Sequence, residues 1–249
     1  MSELHSILDS TQSFVTDIFV DQVASQYTYH NLAHTESVVV ASIELAEHSN
    51  LNEEEINLVT IAAWFHDIGF KEGHENHEDA SIKIAETFLT EQGMSIDKIE
   101  QVKKCIAATK MPQNPKNLME EVLCDADLYH LSSDLFFTQC EKLRAEWAAT
   151  NQQTVNGEDW VSMNIQFLKQ HTYFTNYGKT VLEKKKQKNL KKLKKQQKPS
   201  AIDEKYVDKL EAEVVKLKNQ LNKAKITKPD RGIETMFRVT SKNHLTLSG

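Results

Sequence analysis

The chain has 249 residues, a length that fits one large domain or a domain with an extension. Hydrophobic residues make up 39% of it, which is enough for a core. Its 7 glycines and 4 prolines are too few for a collagen-like chain or a turn-rich all-β fold. The longest apolar run, residues 58–65, is far shorter than the roughly 20 residues of a membrane-spanning helix.

The net charge of −6 is the average of differently charged segments. Residues 1–178 carry 10 basic and 28 acidic groups, whereas residues 179–228 carry 17 lysines and 6 acidic groups. Residues 229–249 are nearly balanced, with 3 basic and 2 acidic groups. We therefore predict an acidic domain over residues 1–178, a lysine-rich extension over 179–228 and a separate terminal segment over 229–249.

The acidic segment is predicted to fold as consecutive helices, because its apolar residues recur at intervals of three and four. The expected helices follow Thr35, precede Gly69, precede Gly93, begin near Ser95, run from about Leu118 through Leu131, and cover Leu135–Ala149 and Trp160–His171. Gly69 and Gly93 are expected to end their helices. The predicted fold class is all-α, with a compact helical domain followed by a lysine-rich helical extension.

Apolar residues in the extension also recur at intervals of three and four beyond Pro199, from Val207 to Ala224. This is the a/d pattern of a coiled coil and predicts a homo-oligomer through residues 203–225. The alternatives are a solvated single helix and a tail that binds nucleic acid. The second is disfavoured, because the stretch lacks arginine and interleaved aromatic residues.

Six of the ten histidines lie between positions 30 and 77. His30 and His34 are four residues apart, which places both rings on one face of a helix. His66 and Asp67 are adjacent at the end of an apolar helix, so they can share a ligand beyond its last turn.

Carboxylates also occur in the apolar segment Cys124-Asp125-Ala126-Asp127-Leu128, where a buried charge requires a partner or a metal ion. Together His34, His66, Asp67 and Asp127 form a mixed nitrogen and oxygen ligand set. Such a set suits manganese, iron, nickel, cobalt, zinc or magnesium rather than a thiolate-bound structural zinc.

The order His34, then His66-Asp67, then Asp127 resembles the HD superfamily of metal-dependent phosphohydrolases. The resemblance extends to a predicted-phosphohydrolase branch through YHNLAHT, WFHDIGF, NHEDAS, IAATK, CDADL, LRAEW and FLKQHTYFT. It implies a compact all-helical domain in which those four residues bind the first divalent ion. Asp125 is the alternative to Asp127 if the alignment of the DAD segment is shifted.

The resemblance also implies a second metal site in some members, for which this chain offers His74 and His77. Thr109 stands where many two-metal members have a histidine, so we expect a single tightly bound ion. Glu78 and Ser81 match the family's N-x-E-x-x-S segment. Glu78 either complements the dipole at a helix start or positions water.

We expect hydrolysis of a phosphate ester of a nucleotide or related small molecule, with Asp67 or Glu78 orienting or deprotonating the attacking water. The candidate substrate-binding residues are His30, Lys71, Lys110 and Arg144. Arg144 can instead pair internally with Glu141 or Glu146, and both lysines can be ordinary surface residues.

The segment from Thr235 to Ser248 resembles the entry to the membrane domain of Pycsar-type antiphage effectors. The alternative function is therefore a non-catalytic nucleotide sensor coupled to a membrane effector in antiphage defence. The three unpaired cysteines and an N-terminus without a secretory signal pattern predict a cytoplasmic location. The terminal resemblance implies the inner face of the cell membrane if the natural chain continues.

Overall fold

The structure, a computed structural model, describes residues 3–150, 154–197 and 201–223, with side chains described within 4–150, 154–197 and 206–218. Within these ranges the chain is helical and has no β-strand, so the predicted all-α class is confirmed. The α-helices are α1 (Glu3–Asp21), α2 (Leu32–His48), α3 (Glu53–Phe65), α4 (His77–Glu91), α5 (Ile96–Thr109), α6 (Leu118–Asp127), α7 (Phe136–Ala149), α8 (Gly157–Gln170), α9 (Glu183–Gln197) and α10 (Ala201–Lys223). Short 3-10 turns at Ile68–Lys71 and Tyr129–Ser132 and a π-helical turn at Gly178–Leu182 connect some of them.

Asparagine side chains begin four of these helices. Asn31, Asn52, Asn117 and Asn156 each accept a hydrogen bond from a backbone N–H in the first turn. Such caps satisfy donors that have no partner inside the helix. The α2 cap fixes the start of the helix that carries His34, and therefore fixes where that ring lies.

Helix α3 occupies the centre of the domain and packs against α1, α2, α5 and α6. Every residue from Leu58 to Phe65 is buried, which explains the uninterrupted apolar run in the sequence. Because the helix is enclosed, its C-terminal end delivers the next two residues, His66 and Asp67, into the interior of the protein.

Two predicted helix ends differ from the structure. Helix α3 ends at Phe65 rather than at Gly69, which lies in the 3-10 turn that follows. Gly69 has a packing role, because a Cβ at this position would collide with the backbone carbonyl of His77. Helix α6 ends at Asp127, so Leu131 belongs to the next 3-10 turn instead of the predicted helix. Gly93, with φ of +77°, ends α4 as predicted.

The first compact unit runs from Met1 to Gln197, past the boundary predicted at residue 178. Helix α9 contacts α8, and its Leu190 and Leu193 join a small core with Ile165 and Leu168. Lys186 is also buried, and its Nζ donates to the carbonyl of His171. The first part of the lysine-rich extension therefore packs as part of the domain. Its average composition, which is dominated by lysine, does not indicate this packing.

The second unit covers residues 198–249 and contains α10. The residues of the Pycsar-like segment, 235–248, lie outside the described part of the chain. Among the described helices, none combines the length and the apolar character needed to cross a bilayer.

Candidate metal centre

Three helices bring the predicted ligands together. His34 lies in the first turn of α2, His66 and Asp67 directly follow α3, and Asp127 is the last residue of α6. Helix α2 packs against both α3 and α6, and α3 packs against α6. The four residues are separated by up to 93 positions in the sequence, yet the packing of these helices places them at one point.

The Nε2 atom of each histidine lies 3.1–3.8 Å from a carboxylate oxygen of both aspartates. His34 Nε2 is 3.4 Å from Asp67 Oδ2 and 3.4 Å from Asp127 Oδ1. His66 Nε2 is 3.1 Å from Asp67 Oδ2 and 3.8 Å from Asp127 Oδ1. One ligand atom each from His34, His66 and Asp127 can be chosen so that all lie within 4.8 Å of one another.

These residues fit a divalent cation. His34 Nε2, His66 Nε2 and Asp67 Oδ2 are buried and have no hydrogen-bond partner in the described chain. Buried polar atoms without partners destabilise a fold unless something satisfies them. Ligands held about 2.0–2.2 Å from a metal lie about 3.0–3.4 Å apart, close to the distances observed here. The side chain of Asp127 is 19% exposed and that of His66 only 1%, so an ion would reach the cluster from the Asp127 side.

The orientation of the His66 ring follows from its other nitrogen. Its Nδ1 lies 2.7 Å from the carbonyl of Ala63, to which it donates, and Nε2 therefore faces the cluster. Burial by itself would lower the pKa of His66, but the carboxylates of Asp67 and Asp127 outweigh it and raise that pKa to about 9. For Asp67 the directions are reversed. Burial by itself would raise its pKa, but the neighbouring His66 and His77 hold that pKa well below its usual value. The cluster therefore contains carboxylates that require a cationic partner.

The structure distinguishes the two aspartates of the DAD segment. Asp125 is fully buried, and its carboxylate accepts hydrogen bonds from Phe174 N at 2.8 Å, Thr175 N at 2.9 Å and Thr175 Oγ1 at 2.7 Å. Burial raises its pKa to about 6, against the effect of these hydrogen bonds. Asp125 thus anchors the segment after α8, and Asp127 is the aspartate that faces His34 and His66.

The residues proposed for a second metal lie at the start of α4. His77 Nε2 is 3.5 Å from Asp67 Oδ1 and 3.5 Å from Glu78 Oε1. His77 Nδ1 lies 3.0 Å from the backbone carbonyl of His74, to which it donates. Thr109 Oγ1 donates to the carbonyl of Ile106 within α5. His77 and Glu78 therefore border the cluster formed by the four predicted ligands.

A close backbone contact holds α4 against the His-Asp turn. Gly69 N donates to Ser81 Oγ at 2.9 Å. A Cβ at position 69 would overlap the backbone carbonyl of His77, so only glycine fits there. This contact explains why glycine and serine occur in WFHDIGF and NHEDAS. It sets the distance between Asp67 and His77.

A pair of residues that the sequence analysis did not connect borders the same cluster. Glu146 is fully buried, and its carboxylate accepts from the backbone N–H groups of Tyr29 and His30 at 2.8 and 2.9 Å. Its Oε1 lies 2.5 Å from His30 Nδ1. Burial would raise the pKa of Glu146, and the hydrogen bonds from His30 lower it instead.

The His30 ring is held in place on its other side as well. It stacks on Phe70 with centroids 4.2 Å apart, and its centroid lies 5.9 Å from that of His34 and 6.2 Å from that of His77. Because Nδ1 faces Glu146, Nε2 is the ring nitrogen that can face a ligand. The ring is 21% exposed, so a ligand can reach it.

His130, which no sequence motif singled out, also lies beside the cluster. Its Nδ1 is 3.0 Å from the hydroxyl of Tyr29, and burial lowers its pKa to about 4. It lines a cleft of about 110 Å³ together with His34, Asp127, Ser133 and Gln139. Its position three residues after Asp127 was the available signal, because residues three apart share one side of a helical turn.

The other predicted substrate-binding residues have partners outside the cluster. Lys110 Nζ is 3.0 Å from Asp79 Oδ2 on an exposed surface. Arg144 Nε donates to the carbonyl of Val155, and Nη1 lies 3.5 Å from Glu141, as the alternative of internal pairing predicted. Lys71 lines an outer recess with Phe14, Lys83, Ile84, Thr87, Phe88 and Glu91. Of the four predicted substrate-binding residues, His30 is the one whose described contacts lie at the cluster.

Comparison with known proteins gives distant structural likenesses. No family model matches the chain, and no curated protein matches it. A solved structure of a predicted HD superfamily hydrolase from an uncultured Thermotogales bacterium is 20% identical, with a TM-score of 0.46 over 65% of this chain and 88% of that one. A solved structure of a protein from Lactobacillus plantarum is 17% identical, with a TM-score of 0.47 over 84% of this chain and 97% of that one. At this similarity, function must be inferred from the site residues themselves.

Proposed function

We propose that the first compact unit is a metal-dependent hydrolase that cleaves a phosphate ester, with a nucleotide or related small molecule as substrate. The observation that carries the proposal is the convergence of His34, His66, Asp67 and Asp127. The buried atoms His34 Nε2, His66 Nε2 and Asp67 Oδ2 have no hydrogen-bond partner in the described chain, and both imidazole nitrogens lie close to Asp127 Oδ1. A mixed set of imidazoles and carboxylates is typical of catalytic divalent-metal sites, whereas structural zinc sites mainly use cysteine thiolates.

A bound divalent ion would lower the pKa of water and withdraw charge from the phosphoryl oxygens. Glu78 would orient the attacking water and accept its proton. Its side chain is 11% exposed and Oε1 lies next to His77, at the border of the cluster. Asp67 is bordered by His34, His66 and His77, and would act mainly as a ligand that keeps these rings oriented.

His30 would supply the proton for the leaving oxygen. The buried carboxylate of Glu146 accepts a hydrogen bond from His30 Nδ1 and so fixes the orientation of the ring, which leaves Nε2 to face a ligand. Proton donation from Nε2 to the ester oxygen would accompany breakage of the phosphorus–oxygen bond while the attacking water oxygen forms the new one. This assignment turns the predicted substrate-binding role of His30 into a role in proton transfer.

The proposed substrate carries at least one phosphoryl group, because a divalent ion bound by the four residues would offer positive charge within an otherwise acidic domain. The cleft of about 110 Å³ is smaller than the roughly 300 Å³ of a typical ligand pocket. It therefore has room for the reacting group, and the remainder of the substrate would extend outwards.

The decisive experiment combines metal analysis of the purified chain with a broad screen of phosphate monoesters, diesters and cyclic nucleotides. We expect a bound transition metal and release of product from at least one substrate class. His66→Ala combined with Asp67→Ala should abolish both. The matched control replaces His48 and Asp134 by alanine, because both are exposed and lie outside the cluster.

Two results would contradict the proposal. Unchanged metal content and turnover in the His66→Ala and Asp67→Ala variant would exclude this cluster as the active site. Tight nucleotide binding without product would favour the alternative, a nucleotide-sensing module coupled to a membrane effector.

A further inference from the structure

Helix α10 presents an apolar stripe to solvent. Val207, Leu210, Val214 and Leu217 are 50, 45, 47 and 59% exposed, although each is a large hydrophobic side chain. Their spacing of three, four and three residues places them on one side of the helix. In heptad terms the two valines occupy a positions and the two leucines occupy d positions.

We propose that this stripe pairs with the same stripe of a second copy of the chain, in a parallel, two-stranded coiled coil. The proposal is independent of the proposed hydrolase activity. It specifies the partner, the orientation and the contacts of the oligomer that the heptad pattern predicts.

The residues at the a and d positions favour two parallel strands. A β-branched residue at a combined with leucine at d packs well in parallel dimers, whereas other combinations favour trimers or tetramers. In α10 both described a positions are valine and both described d positions are leucine. In a parallel dimer each residue meets its own counterpart, so one stripe is complementary to itself.

The charged residues beside the stripe select the same orientation. Glu213 occupies a g position, and Lys218 occupies the e position of the following heptad. These are the positions that approach each other between the helices of a parallel coiled coil. The dimer would therefore contain two Glu213–Lys218 pairs, one on each side of the stripe.

The charge of the helix argues against a lipid surface as the partner. Between residues 206 and 218 three lysines balance three acidic residues. A helix that lies on an anionic membrane carries an excess of lysine or arginine on its polar face. A second copy of α10 has no such requirement.

The test is sedimentation of the full chain over a wide concentration range at low salt. We expect reversible, concentration-dependent dimers, because about two and a half heptads form only a weak coiled coil. Leu210→Asp combined with Leu217→Asp should lower the association constant at least about 100-fold. A wild-type chain that remains monomeric at several hundred micromolar would overturn the proposal.

Charge exchange tests the orientation with nearly unchanged composition. Glu213→Lys and Lys218→Glu should each weaken the dimer roughly tenfold, since each creates like-charged pairs. The double variant should restore wild-type association. In an antiparallel pair Lys218 would meet Glu211 instead, so failure of the double variant to restore association would overturn the parallel arrangement.

Cysteine cross-linking provides an independent readout of the same contact. Val214→Cys places a thiol at an a position, and we expect a disulfide-linked dimer under mild oxidation. Ala212→Cys, at the outer f position, is the matched control and should cross-link much less. Equal cross-linking of the two variants would contradict the proposed seam.

Discussion

Two aspartates, two positions apart, have different tasks in this protein. Asp127 faces His34 and His66, whereas Asp125 accepts three hydrogen bonds from Phe174 and Thr175. Position in the sequence motif does not distinguish them, but their contacts do. The difference can be measured, because one residue should control metal binding and the other the stability of the fold.

We expect Asp125→Asn to destabilise the domain by about 1–3 kcal/mol while leaving metal content unchanged. Asparagine keeps one acceptor oxygen and turns an amide towards a backbone donor, so buried groups lose their partners. Asp127→Asn should show the opposite pattern, with metal affinity reduced at least about tenfold and stability in chelator nearly unchanged. Urea unfolding and metal analysis of both variants test this prediction, and identical behaviour of the two would contradict it.

Glu146→Gln should lower kcat by about 100-fold or more with a much smaller change in KM, because His30 loses the carboxylate that orients its ring. Glu141→Gln is the matched control, since Glu141 lies on the same helix and contacts Arg144 instead. The effect of Glu146→Gln should be nearly absent when His30 is already replaced by glutamine. Full additivity of the two changes would show that they do not act as a pair.

The local part of the site could be predicted from sequence, and the distant part could not. His66 and Asp67 are adjacent at the end of an apolar helix, and His34 follows a capped helix start, so short motifs identify them. Glu146 is 116 residues from His30, and LRAEW contains no feature that assigns its carboxylate to that ring rather than to Arg144. The pairing depends on how α7 packs near the start of α2.

At the scale of helices, the close contact between the His-Asp turn and α4 determines the geometry of the site. Gly69→Ala should destabilise the domain by about 2–3 kcal/mol or more, because the new Cβ would collide with the backbone of His77 and Ser81. Gly157→Ala is the matched control: a Cβ there meets no atom within 4 Å, and the change should stay within about 0.5 kcal/mol. Equal stability of both variants in urea unfolding would contradict the contact.

Helix α9 is attached to the domain through a buried cluster of charged and polar groups. Lys186 Nζ lies 3.2 Å from His171 Nδ1 and 2.8 Å from Glu183 Oε2, above the ring of Tyr173. His171 Nε2 is buried without a hydrogen-bond partner in the described chain. Lysines dominate this helix and so predict an extension, because composition does not reveal that Lys186 points inwards while its neighbours do not.

This cluster predicts a loss of stability in acid. Burial, followed by the charge of Lys186, lowers the pKa of His171 to about 4, whereas an unfolded histidine titrates near 6.5. The folded state therefore favours neutral His171, and its contribution is complete above pH 6.5 and is lost as the pH falls towards 4. The loss should approach about 3 kcal/mol.

The acid effect can be separated from that of other groups by comparing variants. His171→Gln should reduce the difference in unfolding free energy between pH 7 and pH 4.5, while His48→Gln, on an exposed surface, should not. An unchanged pH dependence in His171→Gln would contradict the role of this residue.

In the whole chain, the acidic and the basic part of the sequence differ in structure as well as in charge. The acidic helices enclose a cluster suited to a cation, and the lysine-rich sequence divides into a docked helix, α9, and a second unit that contains α10. The all-α class followed from the spacing of apolar residues and the scarcity of glycine and proline. The domain boundary did not, because Leu190 and Leu193 are the main apolar anchors of α9 and are surrounded by lysines in the sequence.

The central claim is that His34, His66, Asp67 and Asp127 bind one divalent ion. Calorimetric titration of Mn²⁺ into the chelator-treated chain, with Zn²⁺ and Mg²⁺ titrated in parallel, tests it most directly. We expect one tightly bound ion per chain for at least one of these metals, and an affinity at least about 100-fold lower in His66→Ala. No binding by the wild-type chain, or equal binding by His66→Ala, would contradict it.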